Sequence, residues 1–169
     1  LSVGMLIDRA GDDHYIAEWH GQGSGTHLAA GLLIDGGGAD RYEGTHGVQG
    51  AAMDRSTGIL WDRGQESDSY KVAAVGTALP RELGGGQAWA RQAHALAILI
   101  DEGGDDSYSP GWDGLGFSVP PSRPDRGALA IVADLSGTDS YTLGRPRPGA
   151  SPADGAVWLH HDGGVGIDT

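Results

Sequence analysis

The sequence predicts an all-β chain wound as a right-handed parallel β-solenoid of about five coils, with loop insertions. Three observations predict it: an eleven-residue motif that recurs along the chain, a basic period of 27 residues, and a glycine- and aspartate-rich composition with few helix formers. The motif reads three apolar residues, Asp, two variable residues, Gly, any residue, Asp, any residue, Tyr. All five tyrosines take its last position, and 11 of the 18 aspartates take its two Asp positions. Glycine supplies 31 of 169 residues without a Gly-X-Y period, so collagen is excluded and recurring tight turns are expected.

The copies follow in order. Met5-Leu6-Ile7-Asp8 leads to Gly11, Asp13 and Tyr15; Leu32-Leu33-Ile34-Asp35 leads to Gly38, Asp40 and Tyr42. Ile59-Leu60-Trp61-Asp62 reaches Asp68 and Tyr70 after a one-residue insertion, so Asp68 fits the pattern less well. Ile98-Leu99-Ile100-Asp101 precedes Gly104, Asp106 and Tyr108, and Ile131-Val132-Ala133-Asp134 precedes Gly137, Asp139 and Tyr141. A sixth copy opens at Gly164-Val165-Gly166-Ile167-Asp168. Leading aspartates are spaced 27, 27, 39, 33 and 34 residues apart, so later units carry insertions. The expected units are 4–30, 31–57, 58–96, 97–129 and 130–163 of one domain spanning 1–169. Gln22-Gly23 and Gln49-Gly50 extend the match of the first two units.

Apolar runs of three or four bounded by Gly-Asp turns read as short buried strands. Helical repeats need periods near 34 with amphipathic helices, and a propeller blade needs about 40 residues. A solenoid turn of two or three strands fits 27 best, stacking like residues about 4.8 Å apart with right-handed connections. Residues 87–96 are the one stretch expected as a short helix. All eight prolines lie from Pro80 onward, and Pro120-Pro121-Ser122-Arg123-Pro124 and Arg145-Pro146-Arg147-Pro148 are expected as projecting loops. Neither end carries a recognisable cap, so the chain reads as part of a longer solenoid or as a unit that associates end to end.

Acidic residues outnumber basic ones 23 to 11, a formal charge of -12, which disfavours nucleic acid and anionic membranes as partners. No apolar run approaches a membrane span, no secretion leader opens the chain, and the absence of cysteine removes disulfides and thiolate metal sites.

Asp-Gly-Gly-Gly-Ala-Asp-Arg-Tyr-Glu at 35–43 resembles the calcium-binding nonapeptide of RTX proteins, as do residues 101–109 and 134–142. The resemblance implies calcium at Asp13, Asp40, Asp106 and Asp139, with Tyr15, Tyr42, Tyr108 and Tyr141 facing the core. It departs from RTX in having one copy per coil and Asp at the first position. Over nearly the whole chain the pattern is more similar to bacterial tandem Gly-Asp-x-Tyr repeat proteins, whose function is unassigned.

Stacked carboxylates about 4.8 Å apart repel by roughly 3 kcal/mol per neighbour at an effective dielectric near 20. Two remedies stand open. Each Asp can accept N–H groups of its own turn, or a column of calcium ions can sit among Asp8, Asp13, Asp35, Asp40, Asp62, Asp68, Asp101, Asp106, Asp134 and Asp139. Arg9, Arg41 and Arg63 are placed to neutralise further.

His20 and His46 are expected to approach on adjacent coils, but a zinc site needs three or four ligands, so the histidines read as surface residues. Trp19, Trp89 and Trp112 read as core residues, or as a sugar-stacking face where exposed. No catalytic residue is nominated, since the conspicuous aspartates obey the repeat rather than break it. The sequence thus points to a non-enzymatic structural or adhesive scaffold at the cell surface or outside the cell, with calcium as its candidate cofactor. The alternative is a carbohydrate-binding or polysaccharide-processing domain with a glycan partner.

Overall fold

The structure, a computed structural model, describes residues 1–72, 86–91, 94–111, 113–118, 127–143, 151–160 and 163–169. The first repeat contributes β1 (Ser2–Ile7), β2 (His14–Trp19) and β3 (Gly25–Thr26). The second contributes β4 (Ala29–Asp35), β5 (Arg41–His46) and β6 (Ala52–Met53); the third β7 (Thr57–Asp62), β8 (Ser69–Val72) and β9 (Ala90–Arg91). The fourth gives β10 (Leu96–Asp101) and β11 (Ser107–Ser109), the fifth β12 (Leu129–Asp134) and β13 (Ser140–Tyr141). The chain continues with β14 (Val157–His160) and β15 (Gly164–Asp168). The described residues form no helix. The fold is all-β, with its strands in three sheets.

Each sheet collects the corresponding strand of every repeat. One runs β1-β4-β7-β10-β12-β15-β14, a second β2-β5-β8-β11-β13, a third β3-β6-β9. Every pairing is parallel except β14 with β15. Register is that of the motif: Asp35, Asp62, Asp101, Asp134 and Asp168 are successive partners, and so are Tyr15, Tyr42, Tyr70, Tyr108 and Tyr141. Parallel strands about 4.8 Å apart put like side chains in ladders, which is why the five tyrosine rings stack at 4.8–5.0 Å within 9° of parallel.

The apolar runs are not buried on both faces. In β4 burial alternates, so Leu33 and Asp35 are buried while Leu32 and Ile34 stay partly exposed. The same alternation buries only Leu60, Leu99 and Val132 of the following runs. A period of two therefore carries the leading Asp inward with the middle apolar residue. The core consists of those side chains, the inner tyrosines and small residues such as Ala90, Ala97 and Ala130.

Two expectations are corrected. The described residues of 87–96 do not form a helix: Gln87 and Ala88 have φ of 53° and 57°, and the stretch supplies β9 and the start of β10. Asp68 does not fall out of register, because the extra residue is absorbed in the turn and Ser69 and Tyr70 pair with Arg41 and Tyr42. At the C-terminal side of the first sheet β14 folds back antiparallel on β15, where Gly166 replaces the inward Val132 of the preceding strand. Trp158 lies against Gly166, 3% exposed, with its Nε1 donating to the Leu115 carbonyl. At the other edge β1 is exposed along its whole length. The two proline loops, Trp112 and His161 fall outside the described residues.

Candidate metal centre

Between the first and second sheets, each repeat turns through its Asp-x-x-Gly-x-Asp segment, or in the third repeat through the one-residue-longer segment 62–68, and this turn positions two kinds of aspartate. Gly38 takes φ of 141°, and a Cβ there would stand 1.6 Å from the Gly11 carbonyl oxygen of the preceding repeat. Only glycine allows the turns to nest that closely.

The leading aspartates end their strands with the side chain inside. Asp35, Asp62 and Asp101 each accept the N–H two residues ahead on Oδ1, at 2.9, 3.0 and 3.0 Å. Their Oδ2 atoms accept tyrosine hydroxyls: Tyr42 donates to Asp62 at 2.8 Å, Tyr70 to Asp101 at 2.7 Å and Tyr108 to Asp134 at 2.7 Å. Tyr70 also reaches Asp62 of its own repeat at 3.2 Å. Burial, reinforced by the neighbouring carboxylates, holds the inner tyrosines above their ordinary pKa, so they remain donors.

The following aspartates cap across repeats rather than within one. Asp40 Oδ1 accepts the backbone N–H of Asp13, Asp68 that of Asp40, Asp106 that of Asp68 and Asp139 that of Asp106, all at 2.6 Å. The second oxygen has no such partner. Oδ2 of Asp40, Asp68 and Asp106 is buried and unpartnered, while Oδ2 of Asp139 and Oδ1 of Asp134 are buried with only each other's carboxyl to reach.

Turn capping thus consumes half of each following carboxylate and leaves the other half facing its neighbours. Five triads result, each within 4.8 Å: Asp13-Asp35-Asp40, Asp40-Asp62-Asp68, Asp68-Asp101-Asp106, Asp106-Asp134-Asp139 and Asp139-Asp154-Asp168. Burial raises the carboxyl of Asp101 to about 8, with the charge of Asp106 adding to it. Burial likewise lifts Asp106 to about 7 against the opposing pull of the Asp68 N–H. Asp40, Asp68 and Asp134 are pushed up chiefly by the same desolvation.

Nine of the ten sequence-nominated aspartates meet in these triads. Asp8 does not; its Oδ1 accepts the N–H of Arg9 at 2.6 Å in its own exposed turn. Two members lie outside the ten that the motif nominates. In the sequence Asp168 marks only the start of a further copy. Asp154 lies after an insertion with no tyrosine behind it, yet its Oδ1 accepts the Asp139 N–H at 2.8 Å. Arg9 and Arg41 form no ion pair among the described residues, while Arg63 pairs with Glu102 at 3.6 Å and lies over Trp61. The arginines do not neutralise the column, because their side chains start on the outside of turns whose carboxylates point in.

A second polar ladder stands at the next corner. Gln22, Gln49 and Gln87 share φ of 53–56°, and their Nε2 atoms donate to the carbonyls of Tyr15, Tyr42 and Tyr70 at 2.8 Å. His20 and His46 approach as expected, with ring centroids 5.8 Å apart. His46 is not a surface residue, however: it is 5% exposed, between Trp19 and Trp89. Among the described residues no third ligand joins the pair. Trp89 is buried, whereas Trp19 is 46% exposed. An open concavity of about 380 Å³ beside β1 is lined by Ser2, Met5, His20, Ser24 and Thr26 among others, without any carboxylate. No known protein family, curated protein or solved structure matches the chain.

Proposed function

We propose that the chain is a non-enzymatic structural or adhesive scaffold: a right-handed parallel β-solenoid of about five coils, stabilised by calcium along its aspartates. The observation that carries this reading is the unbroken Tyr-Asp ladder. Each inner tyrosine and leading Asp binds its counterpart in the next repeat, so the most conspicuous polar groups are spent on joining repeats. The solenoid form is supported by three sheets that take their strands from successive repeats in the same order, and right-handedness by the general rule for parallel connections. A location outside the cell suits a protein drawing on calcium at the millimolar concentrations that extracellular modules use. End-to-end association, or docking of neighbouring repeats, fits the exposed edge of β1.

The expected result is a thermal midpoint that rises in millimolar calcium and falls in EDTA, followed by circular dichroism. Turnover of any polysaccharide by the purified chain would overturn the scaffold reading. A carbohydrate-binding role is the second reading, favoured by the exposure of Trp19 on β2. It requires a glycan-array signal that disappears in Trp19→Ala.

A further inference from the structure

We propose that Asp106, Asp134 and Asp139 together hold one calcium ion between the fourth and fifth repeats, that each of the other four aspartate triads holds one as well, although there both oxygens of the leading Asp already accept hydrogen bonds, and that each following Asp between two gaps bridges two ions. This rests on the calcium part of the scaffold reading and names its ligands. The gap between the fourth and fifth repeats carries the argument. Oδ2 of Asp106 is buried without a partner, and Oδ1 of Asp134 and Oδ2 of Asp139 are buried with no donor from outside the cluster, the two carboxyls reaching only each other. The three groups lie within 4.8 Å of one another. Anionic oxygens do not gather in a buried space unless something positive joins them, because each forfeits its hydration and repels the others.

Charge and chemistry select the ion. Each repeat adds one leading and one following Asp to the column, and each repeat adds one gap. One divalent ion per gap cancels both charges, whereas a monovalent ion leaves half of the charge standing. A bridging water supplies hydrogens without charge. All ligand atoms are carboxylate oxygens, with no His among them, which favours a hard cation over zinc or copper. Magnesium holds its waters and demands octahedral geometry; calcium accepts several carboxylates in irregular arrangements. The ligands are also held in place beforehand. Asp106 and Asp139 are fixed through Oδ1 by backbone N–H groups, and Asp134 through Oδ2 by Tyr108.

Sharing makes the proposal testable by counting. Asp106 belongs to two triads and Asp134 to one. Calcium bound by the full chain, measured by equilibrium dialysis with radioactive calcium at neutral pH, should approach the five ions set by the five triads. Asp134→Asn should lose one ion and Asp106→Asn two. Asp154→Asn changes an exposed residue of the last gap alone and should lose one ion, which keeps the count informative should Asp106→Asn fail to fold. Terbium, a calcium substitute, should emit on excitation of tyrosine, since Tyr108 hydrogen-bonds a ligand carboxylate. A chain that binds neither calcium nor terbium overturns the site while leaving the scaffold intact. Equal losses in Asp106→Asn and Asp134→Asn, or no loss in either of them or in Asp154→Asn, overturn the shared column even where calcium binds.

Discussion

Asp62 and Asp68 are six residues apart, equally buried, and opposite in their hydrogen bonding. Asp62 receives Gly64 N–H on one oxygen and the hydroxyls of Tyr42 and Tyr70 on the other. Asp68 receives one N–H, from Asp40, and its second oxygen receives nothing. The difference follows from position. A leading Asp lies within reach of the tyrosine that closes its own turn and of the one in the preceding repeat. A following Asp looks across its own turn toward another carboxylate. The tyrosine hydroxyl therefore does more than fill space, because it is the donor that lets a leading carboxylate be buried. Tyr70→Phe removes donors from both Asp62 and Asp101 without changing ring packing, and should cost about 1–3 kcal/mol in urea denaturation. Tyr15→Phe, at the partly exposed end of the ladder, should cost about 0.5–1 kcal/mol. Equal losses at the two positions would mean that hydroxyl bonding contributes nothing specific to the interior.

At the scale of strands and turns, the nesting of one turn on the next is set by backbone contact. Gly38→Ala must push a methyl into the Gly11 carbonyl at a φ of 141° that disfavours any side chain, and should destabilise by more than about 2 kcal/mol. Gly4→Ala, in the exposed edge strand with open space around it, should change stability by less than about 0.5 kcal/mol. Melting the two variants side by side checks this. The strands, their parallel register, the inward tyrosines and nine of the clustered aspartates are legible from the motif, because a repeat that stacks in register converts sequence identity into spatial adjacency. What was not legible lies where the repeat is interrupted. Gln87 joins Gln22 and Gln49 only after an insertion, so its neighbours looked helical in isolation. Asp154 serves as a following Asp without the tyrosine that marked the others. Trp158 fills the place vacated at Gly166, a pairing of two residues visible only once β14 folds back. Nor does periodicity say which oxygen of a carboxylate is already used: Oδ1 of Asp40, Asp68, Asp106 and Asp139 caps a backbone N–H, and Oδ2 does not.

For the molecule as a whole, the buried column ties stability to pH in a direction opposite to that of most acidic proteins. When divalent ions are removed, the column can be relieved only by protons. Asp101 and Asp106 keep theirs up to about 8 and 7 because burial penalises the charged form, and Asp40, Asp68 and Asp134 shift the same way for the same reason. In the unfolded chain these groups release their protons near 4. The folded state therefore binds more protons than the unfolded state between those limits, and unfolding free energy falls as pH rises. The contribution is complete below about pH 4 and is lost as pH climbs through 7 to 8. Like charges around the column deepen the loss, since Asp35, Asp62 and Asp168 press on the same groups and no described Lys or Arg pairs with them. In EDTA, the melting temperature should decline steadily from pH 5 to pH 8.5. In millimolar calcium the decline should flatten, because the ion replaces the protons that leave. A melting temperature in EDTA that instead rises across this range would show the carboxyls ionised in the folded protein without a cation, and the buried column would then be wrong as drawn.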